Sequence, residues 1–220
     1  MKKNSKNVLD YAIVAFVDIL GFSAMVKSDC EVITEKMKYF ELLKYLNKQV
    51  KEIQDCEITQ FSDSVIFSLP LSADNCMKLI EVVMNYQYKL LLEGIICRGA
   101  ISFGKHYKEN DFMFSQALIE AYQLESKEAI SPRIIVSNNL MELYETNDIC
   151  LSMLCKERDG FYFLDYLSCG SADETYDILK KFADNLNNYQ SNVKEKYYWL
   201  FQYWEYKYSQ KSPFNIDIFN

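Results

Sequence analysis

Two aspartates and one arginine hold most of the chemical potential of this chain. Asp18 follows the apolar run Tyr11 to Val17 (YAIVAFV) and opens the segment Asp18-Ile19-Leu20-Gly21-Phe22. Asp63 lies in Ser62-Asp63-Ser64, between the β-rich runs Glu57 to Phe61 and Val65 to Leu69. An ionised carboxylate buried beside a core strand is costly unless something pairs with it. Two carboxylates brought together repel, and a divalent cation relieves the repulsion. Mg²⁺ and Mn²⁺ prefer oxygen ligands and are often shared with substrate phosphates. Two such ions could activate a hydroxyl and stabilise a leaving pyrophosphate. The competing reading is local: an Asp at a strand end or in a turn often just binds nearby amides.

Arginine is scarce, with only Arg98, Arg133 and Arg158 in the chain. Its planar fork suits phosphates and base carbonyls. Arg98 lies in the apolar run Ile95 to Phe103, so its head must find a partner, either substrate or a nearby carboxylate. Arg133 follows Pro132 at a strand start and is a second candidate contact. Arg158, in Lys-Glu-Arg-Asp-Gly, reads as a solvated turn residue. Gly21 and Phe22 could let backbone amides approach a triphosphate, or form an ordinary tight turn. The segment is neither GxGxxG nor a P-loop. With one histidine, His106, a histidine-based metal site or a Ser-His-Asp triad is disfavoured.

The elements that must position these residues can be read from periodicity. Tyr11 to Val17 is a buried strand. Residues 31–53 carry Ile33, Met37, Phe40, Leu43, Leu46, Val50 and Ile53 at helical spacing. The two runs around Asp63 form a hairpin. Residues 73–93 are again helical, Ile95 to Phe103 is a strand closed by Gly104, and residues 115–128 fit a helix. Arg133 to Val136 is a strand, followed by a short helix from Asn138 and a strand pair around 150–166. Residues 172–208 form an aromatic-rich helical region whose Tyr197, Leu200, Phe201, Trp204 and Tyr208 share one face, suited to core or dimer packing. The order β-α-ββ-α-β is the ferredoxin-like split βαβ pattern of an α/β (α+β) fold. Many unrelated functions use it, so function rests on the site.

At 220 residues the chain suits one domain, with a core over about residues 8–170 and a helical extension over about 171–220. The formal net charge of −7 argues against a nucleic-acid surface. No run reaches the length of a membrane span, and no secretory signal is evident. Seven cysteines without a CxxC pair read as reduced thiols, which together predict a cytoplasmic protein.

Several segments together resemble the class III nucleotidyl cyclases, nearest to the bacterial pyrimidine (uridylate and cytidylate) cyclases of the Pycsar antiphage system. Val17-Asp18-Ile19-Leu20-Gly21-Phe22-Ser23 is similar to their first metal-binding segment. Phe61-Ser62-Asp63-Ser64-Val65 resembles their second metal-bearing hairpin. Arg98-Gly99-Ala100-Ile101-Ser102-Phe103-Gly104 resembles their Arg-x5-Gly strand. Ser115 to Glu125 (SQALIEAYQLE), with Pro132-Arg133-Ile134, resembles their next helix and strand. The resemblance implies that Asp18, Asp63 and the Ile19 carbonyl hold two Mg²⁺ or Mn²⁺ ions. In this reading Arg98 orients base or phosphate, and Phe22 and Arg133, picked out above from their own positions, are further candidate substrate contacts. The implied enzyme is a homodimer with its sites between protomers, converting UTP or CTP to the 3′,5′-cyclic monophosphate and pyrophosphate for antiphage signalling. One departure stands out. Purine cyclases carry an Asn and an Arg four residues apart before a Leu-Glu step, and here Ile119 and Gln123 precede Leu124-Glu125. This weighs against ATP or GTP as substrate. It also leaves open a non-catalytic nucleotide-binding homologue, or a dimerisation or sensor domain.

Overall fold

The computed structural model describes residues 9–31, 37–53, 56–144 and 151–214. Its first half runs β1 (Asp10–Ile19), α1 (Phe22–Glu31), α2 (Lys38–Lys51), β2 (Glu57–Phe61), β3 (Ser64–Pro70), α3 (Ala73–Leu92) and β4 (Cys97–Glu109). These strands lie in the order β2-β3-β1-β4, with β1 antiparallel to both neighbours. That is the split βαβ arrangement expected from the sequence, with β1 as a central strand. The chain continues through β5 (Phe112–Ser115), α4 (Gln116–Glu128), β6 (Ile134–Val136), α5 (Asn138–Tyr144), β7 (Leu154–Lys156) and β8 (Tyr162–Leu164). Strand β6 adds parallel to β4, then β8 and β7 extend the sheet, while β5 folds back on β4.

Strand β1 is buried on both faces, which explains its continuous apolar run. Ile13, Ala15, Val17 and Ile19 join Val65, Phe67 and Leu69 beneath the buried faces of α2 and α3. The opposite face places Ala12 and Val14 against Ala117 of α4. Asp18 belongs to this second face by strand alternation, as does Phe16, whose ring meets Tyr122 of α4 edge-on at 5.4 Å. Helix α4 is therefore the element that roofs the Asp18 end of the sheet. It starts at Ser115, whose hydroxyl accepts from the Leu118 amide at 3.0 Å.

The helical region after residue 171 is two helices, α6 (Ala172–Asn185) and α7 (Ser191–Tyr208), separated by a 3-10 turn. A capping box of Ser171 and Glu174 starts α6. The aromatic face of α7 builds a second core: Leu200, Phe201 and Trp204 are fully buried with Phe163, Tyr166 and Leu167. Core packing is thus its role within the chain. Trp204 Nε1 donates to Thr175 Oγ1 at 2.8 Å, and Tyr203 Oη donates to Asp165 Oδ1 at 2.6 Å.

Three expectations need correction. The strand containing Arg98 does not stop at Gly104 but runs on to Glu109 and turns into β5. Residues 22–31 form a helix rather than only a turn. Of the helical stretch 31–53, α2 covers Lys38–Lys51, Glu31 ends α1, and Ile33 lies outside the described residues. No disulfide joins any two of the described cysteines. No helix among the described residues is long and apolar enough to cross a membrane.

Candidate active site

The antiparallel pairing of β1 with β3 brings the two aspartates to one end of the sheet. Asp18 pairs with Ser64, the residue after Asp63. The Ile19 amide donates to the Asp63 carbonyl at 2.9 Å, so the hairpin turn is pinned beside the end of β1. The turn is a two-residue loop in which Ser62 adopts φ 57°, left-handed backbone that a short polar residue tolerates. Just beyond β1, Gly21 takes φ +80° and lets the chain turn into α1.

Arg98 faces Asp18 from the other neighbouring strand, β4. Its Nε donates to Asp18 Oδ2 at 3.1 Å, and one terminal nitrogen donates to the Ala129 carbonyl at 3.4 Å. The next residue, Gly99, has a steric reason to be glycine: a Cβ there would stand 2.3 Å from the Phe16 carbonyl oxygen. The close β1–β4 approach at this point therefore needs a residue without a side chain.

Glu125 of α4 is the member of the site that sequence reasoning missed. Its side chain is 3% exposed, and Oε1 lies 2.8 Å from Arg98 Nε. The contact is one of charge, because Oε1 is off the N–H line and accepts no hydrogen bond. Burial pushes the Glu125 carboxyl above its usual range, Arg98 opposes the shift, and the Asp18 and Asp63 charges reinforce it. The signal available in the sequence was an acid four positions after the buried Ala121 on α4, inside the apolar periodicity.

Lys196 of α7 donates from Nζ to the Asn192 carbonyl at 3.5 Å. Its ammonium is half-buried and held below the usual lysine range by burial and then by Arg98, with Asp18 opposing.

Of the remaining candidates, Ile19 follows Asp18 at the end of β1 and Phe22 opens α1, while Arg133 precedes β6. Arg133 is buried, and its guanidinium binds Glu157, Asp159 and, at 3.2 Å, the Glu128 carbonyl. Burial opposes ionisation of Asp159, yet the Arg133 and Phe161 hydrogen bonds hold its carboxyl below the usual range. Arg133 thus has a set of partners separate from that of Arg98. The Phe22 ring packs at the edge of the main core and lines an open cavity of about 910 Å³ between α1, α2 and the Ser62 turn. Ile19 is 1% exposed, and Arg158 is exposed on the β7–β8 loop.

The side chains brought to this sheet end include carboxylates, the ligand type a hard divalent cation prefers. Asp18 and Asp63 offer carboxylate oxygens, and no group of three or more potential ligands occurs among the described residues. Mg²⁺ is commonly held by one or two carboxylates, with water and substrate phosphates completing its shell.

No family model matches the chain, and no curated protein matches it. Among solved structures, the chain is similar to the catalytic core of a rhodopsin-guanylyl cyclase with converted specificity in complex with ATPαS. The identity is 12%, over 71% of this chain and 95% of that one, with a TM-score of 0.46. It is also similar to a bacterial light-regulated adenylyl cyclase, at 11% identity over 79% of this chain and 98% of that one, with a TM-score of 0.42. Likenesses at this level assign no residue a role.

Proposed function

We propose that this protein is a nucleotidyl cyclase acting on a pyrimidine nucleoside triphosphate, UTP or CTP. The observation that carries the reading is the meeting of Asp18 and Asp63 at one sheet end, with Arg98 held on Asp18. The class III segments quoted from the sequence fall on these same residues. In the reaction the ribose 3′-hydroxyl attacks the α-phosphate, a new P–O bond closes the ring, and the bond to pyrophosphate breaks.

Asp18, Asp63 and the Ile19 carbonyl would hold two Mg²⁺ or Mn²⁺ ions. Such ions supply Lewis-acid activation of the attacking hydroxyl and neutralise charge on the leaving pyrophosphate. Arg98 presents a fork at the rim of this carboxylate pair, suited to orienting a phosphate or a base carbonyl. Asp18 and Asp63 sit at a strand end and in a turn of the sheet, so they are preorganised.

The active unit in this reading is a cytoplasmic homodimer with sites shared between protomers. Exposed Ile119 and Tyr122 on α4 give that helix an apolar outer face suited to such a contact. Second-messenger synthesis in antiphage defence follows from the resemblance to the Pycsar cyclases. One observation favours a non-catalytic nucleotide-binding homologue instead: α4 presents exposed Ile119 and Gln123 where purine cyclases place an Asn and an Arg. Incubating the purified protein with each of the four triphosphates and Mn²⁺, then separating products by mass, decides between them. A cyclic pyrimidine monophosphate supports the cyclase, and bound but unconverted triphosphate supports the homologue.

A further inference from the structure

Arg98 has one Nε–H and two carboxylates within reach of it. Asp18 Oδ2 takes the hydrogen bond at 3.1 Å, while Glu125 Oε1, closer at 2.8 Å, takes none. Glu125 is thus a buried acceptor lying beside a donor that is aimed at another group. The rest of Glu125 is anchored: Ser126 Oγ donates to Oε2 at 3.1 Å, and the Glu125 carbonyl accepts the Ala129 amide at 3.0 Å. Ala129 in turn receives the Arg98 terminal nitrogen. The C-terminal turn of α4 is therefore a ready-made receptor for the Arg98 guanidinium.

We infer that Glu125 is a positioning residue that takes over Arg98 when Asp18 turns to a divalent cation. The inference rests on the metal-binding reading of Asp18 given above. A cation and a guanidinium compete for the same Asp18 carboxylate. The Arg98 side chain is 27% exposed and the Asp18 side chain 18%, so water only partly compensates a guanidinium that loses its partner. Glu125 removes that loss by supplying a second carboxylate at contact distance. The Nε–H then changes acceptor by a small tilt, and the fork stays at the rim of the site. Without Glu125, Asp18 must satisfy Arg98 and the cation together.

The test is Mn²⁺ binding to the full chain, followed by the loss of the free-ion electron paramagnetic resonance signal, with no nucleotide turnover in the readout. Glu125→Gln keeps the side-chain shape and removes the charge. Its Mn²⁺ dissociation constant should rise about tenfold or more, the scale of leaving a buried charged group without its partner. The double variant Arg98→Met/Glu125→Gln removes the competitor as well and should bind at least as tightly as wild type. Wild-type affinity in a folded Glu125→Gln chain would overturn the inference while leaving the Asp18 site in place. If wild type binds no Mn²⁺, or Asp18→Asn binds it equally well, the metal reading falls and the inference falls with it. Should Glu125→Gln fail to fold, Arg98→Met alone decides: it should bind Mn²⁺ as tightly as wild type or more so, and weaker binding overturns the competition.

Discussion

Arg98 donates from Nε to Asp18 Oδ2 across the β1–β4 pair, 3.1 Å away. The two residues lie eighty positions apart in sequence, and only the sheet register joins them. Aspartate at the end of a buried strand is therefore not a solvated turn residue. It is one arm of a charged corner that also takes in Glu125 and, through the hairpin, Asp63.

Removing either aspartate should abolish cyclic product. Asp18→Ala leaves Arg98 in contact with Glu125, and Asp63→Ala changes only a two-residue turn, so both chains should fold. Circular dichroism checks the fold, and product is measured by mass. Folded single variants that keep more than about a tenth of wild-type activity, a difference of about 1.4 kcal/mol, would overturn the proposed metal-binding role of these residues.

Arg98→Lys should also lose activity. Lysine keeps the charge but carries no Nε–H and no planar fork, so it cannot meet Asp18 and the Ala129 carbonyl together. Activity should fall by about tenfold or more, using the strength of a charged hydrogen bond as the scale. Wild-type turnover in Arg98→Lys would reduce Arg98 to a charge partner of the carboxylates.

Arg133 should act on stability instead. Its guanidinium ties the start of β6 to the loop between β7 and β8 through Glu157 and Asp159. Arg133→Met leaves two like charges, but their side chains are 29% and 40% exposed, and water screens them. The expected cost is about 1–2 kcal/mol, below the range for a fully buried pair. A shifted urea midpoint with an unchanged KM fits this role. An unchanged midpoint with a KM raised tenfold would make Arg133 a substrate contact.

Much of this architecture was legible before any coordinates. Strand β1, the β2–β3 hairpin and helices α3 and α4 follow from the patterning of apolar and polar residues. What escaped has physical causes. Helix α1 buries only Asp29, so it has no apolar stripe to betray it. Gly104 reads as a strand stop, yet it lies inside β4 where a Cβ would crowd the Ala117 amide at 3.2 Å. Asp18 was visible because it ends an apolar run, and Asp63 because it sits in the polar turn between two strand-forming runs. Glu125 was not, because its meaning comes from Arg98 on β4, and a helix-to-strand contact cannot be read from local spacing.

His106 should make stability pH-dependent. Burial lowers its affinity for a proton, with Glu57 opposing and Lys108 reinforcing the shift. Its Nδ1 lies 2.8 Å from Ser115 Oγ, while Nε2 is buried without a hydrogen-bond partner. The unfolded chain therefore takes up a proton near the ordinary histidine value of 6.5, before the folded chain does. Stability is fully present above that pH and declines as pH falls through it. Melting curves at about pH 7.5 and about pH 5.5, on either side of the free histidine value, should show a smaller drop for His106→Gln than for wild type. Equal drops would place the acid sensitivity in other groups.

Selectivity for pyrimidines is the finest of these expectations. A purine ring is larger, and by the sequence resemblance Ile119 and Gln123 stand where purine cyclases carry an Asn and an Arg. Both are exposed on α4 beside exposed Tyr122, so neither is locked into the core, and neither provides a cation for a transition-state phosphate. A pocket built for uracil or cytosine must instead hydrogen-bond O2 and the group at position 4. Leaving such groups unpaired against the wrong base costs on the order of 1–3 kcal/mol each, or roughly 5- to 150-fold in rate. UTP or CTP should therefore be cyclised at least about tenfold faster than ATP or GTP on that same scale. UTP and CTP differ at position 4 by a carbonyl acceptor against an amino donor, so a single facing side chain separates them. Competition among all four triphosphates at equal concentration measures the ratio directly. A dominant cyclic AMP or cyclic GMP product would overturn the pyrimidine assignment and leave the roles of Asp18 and Asp63 intact.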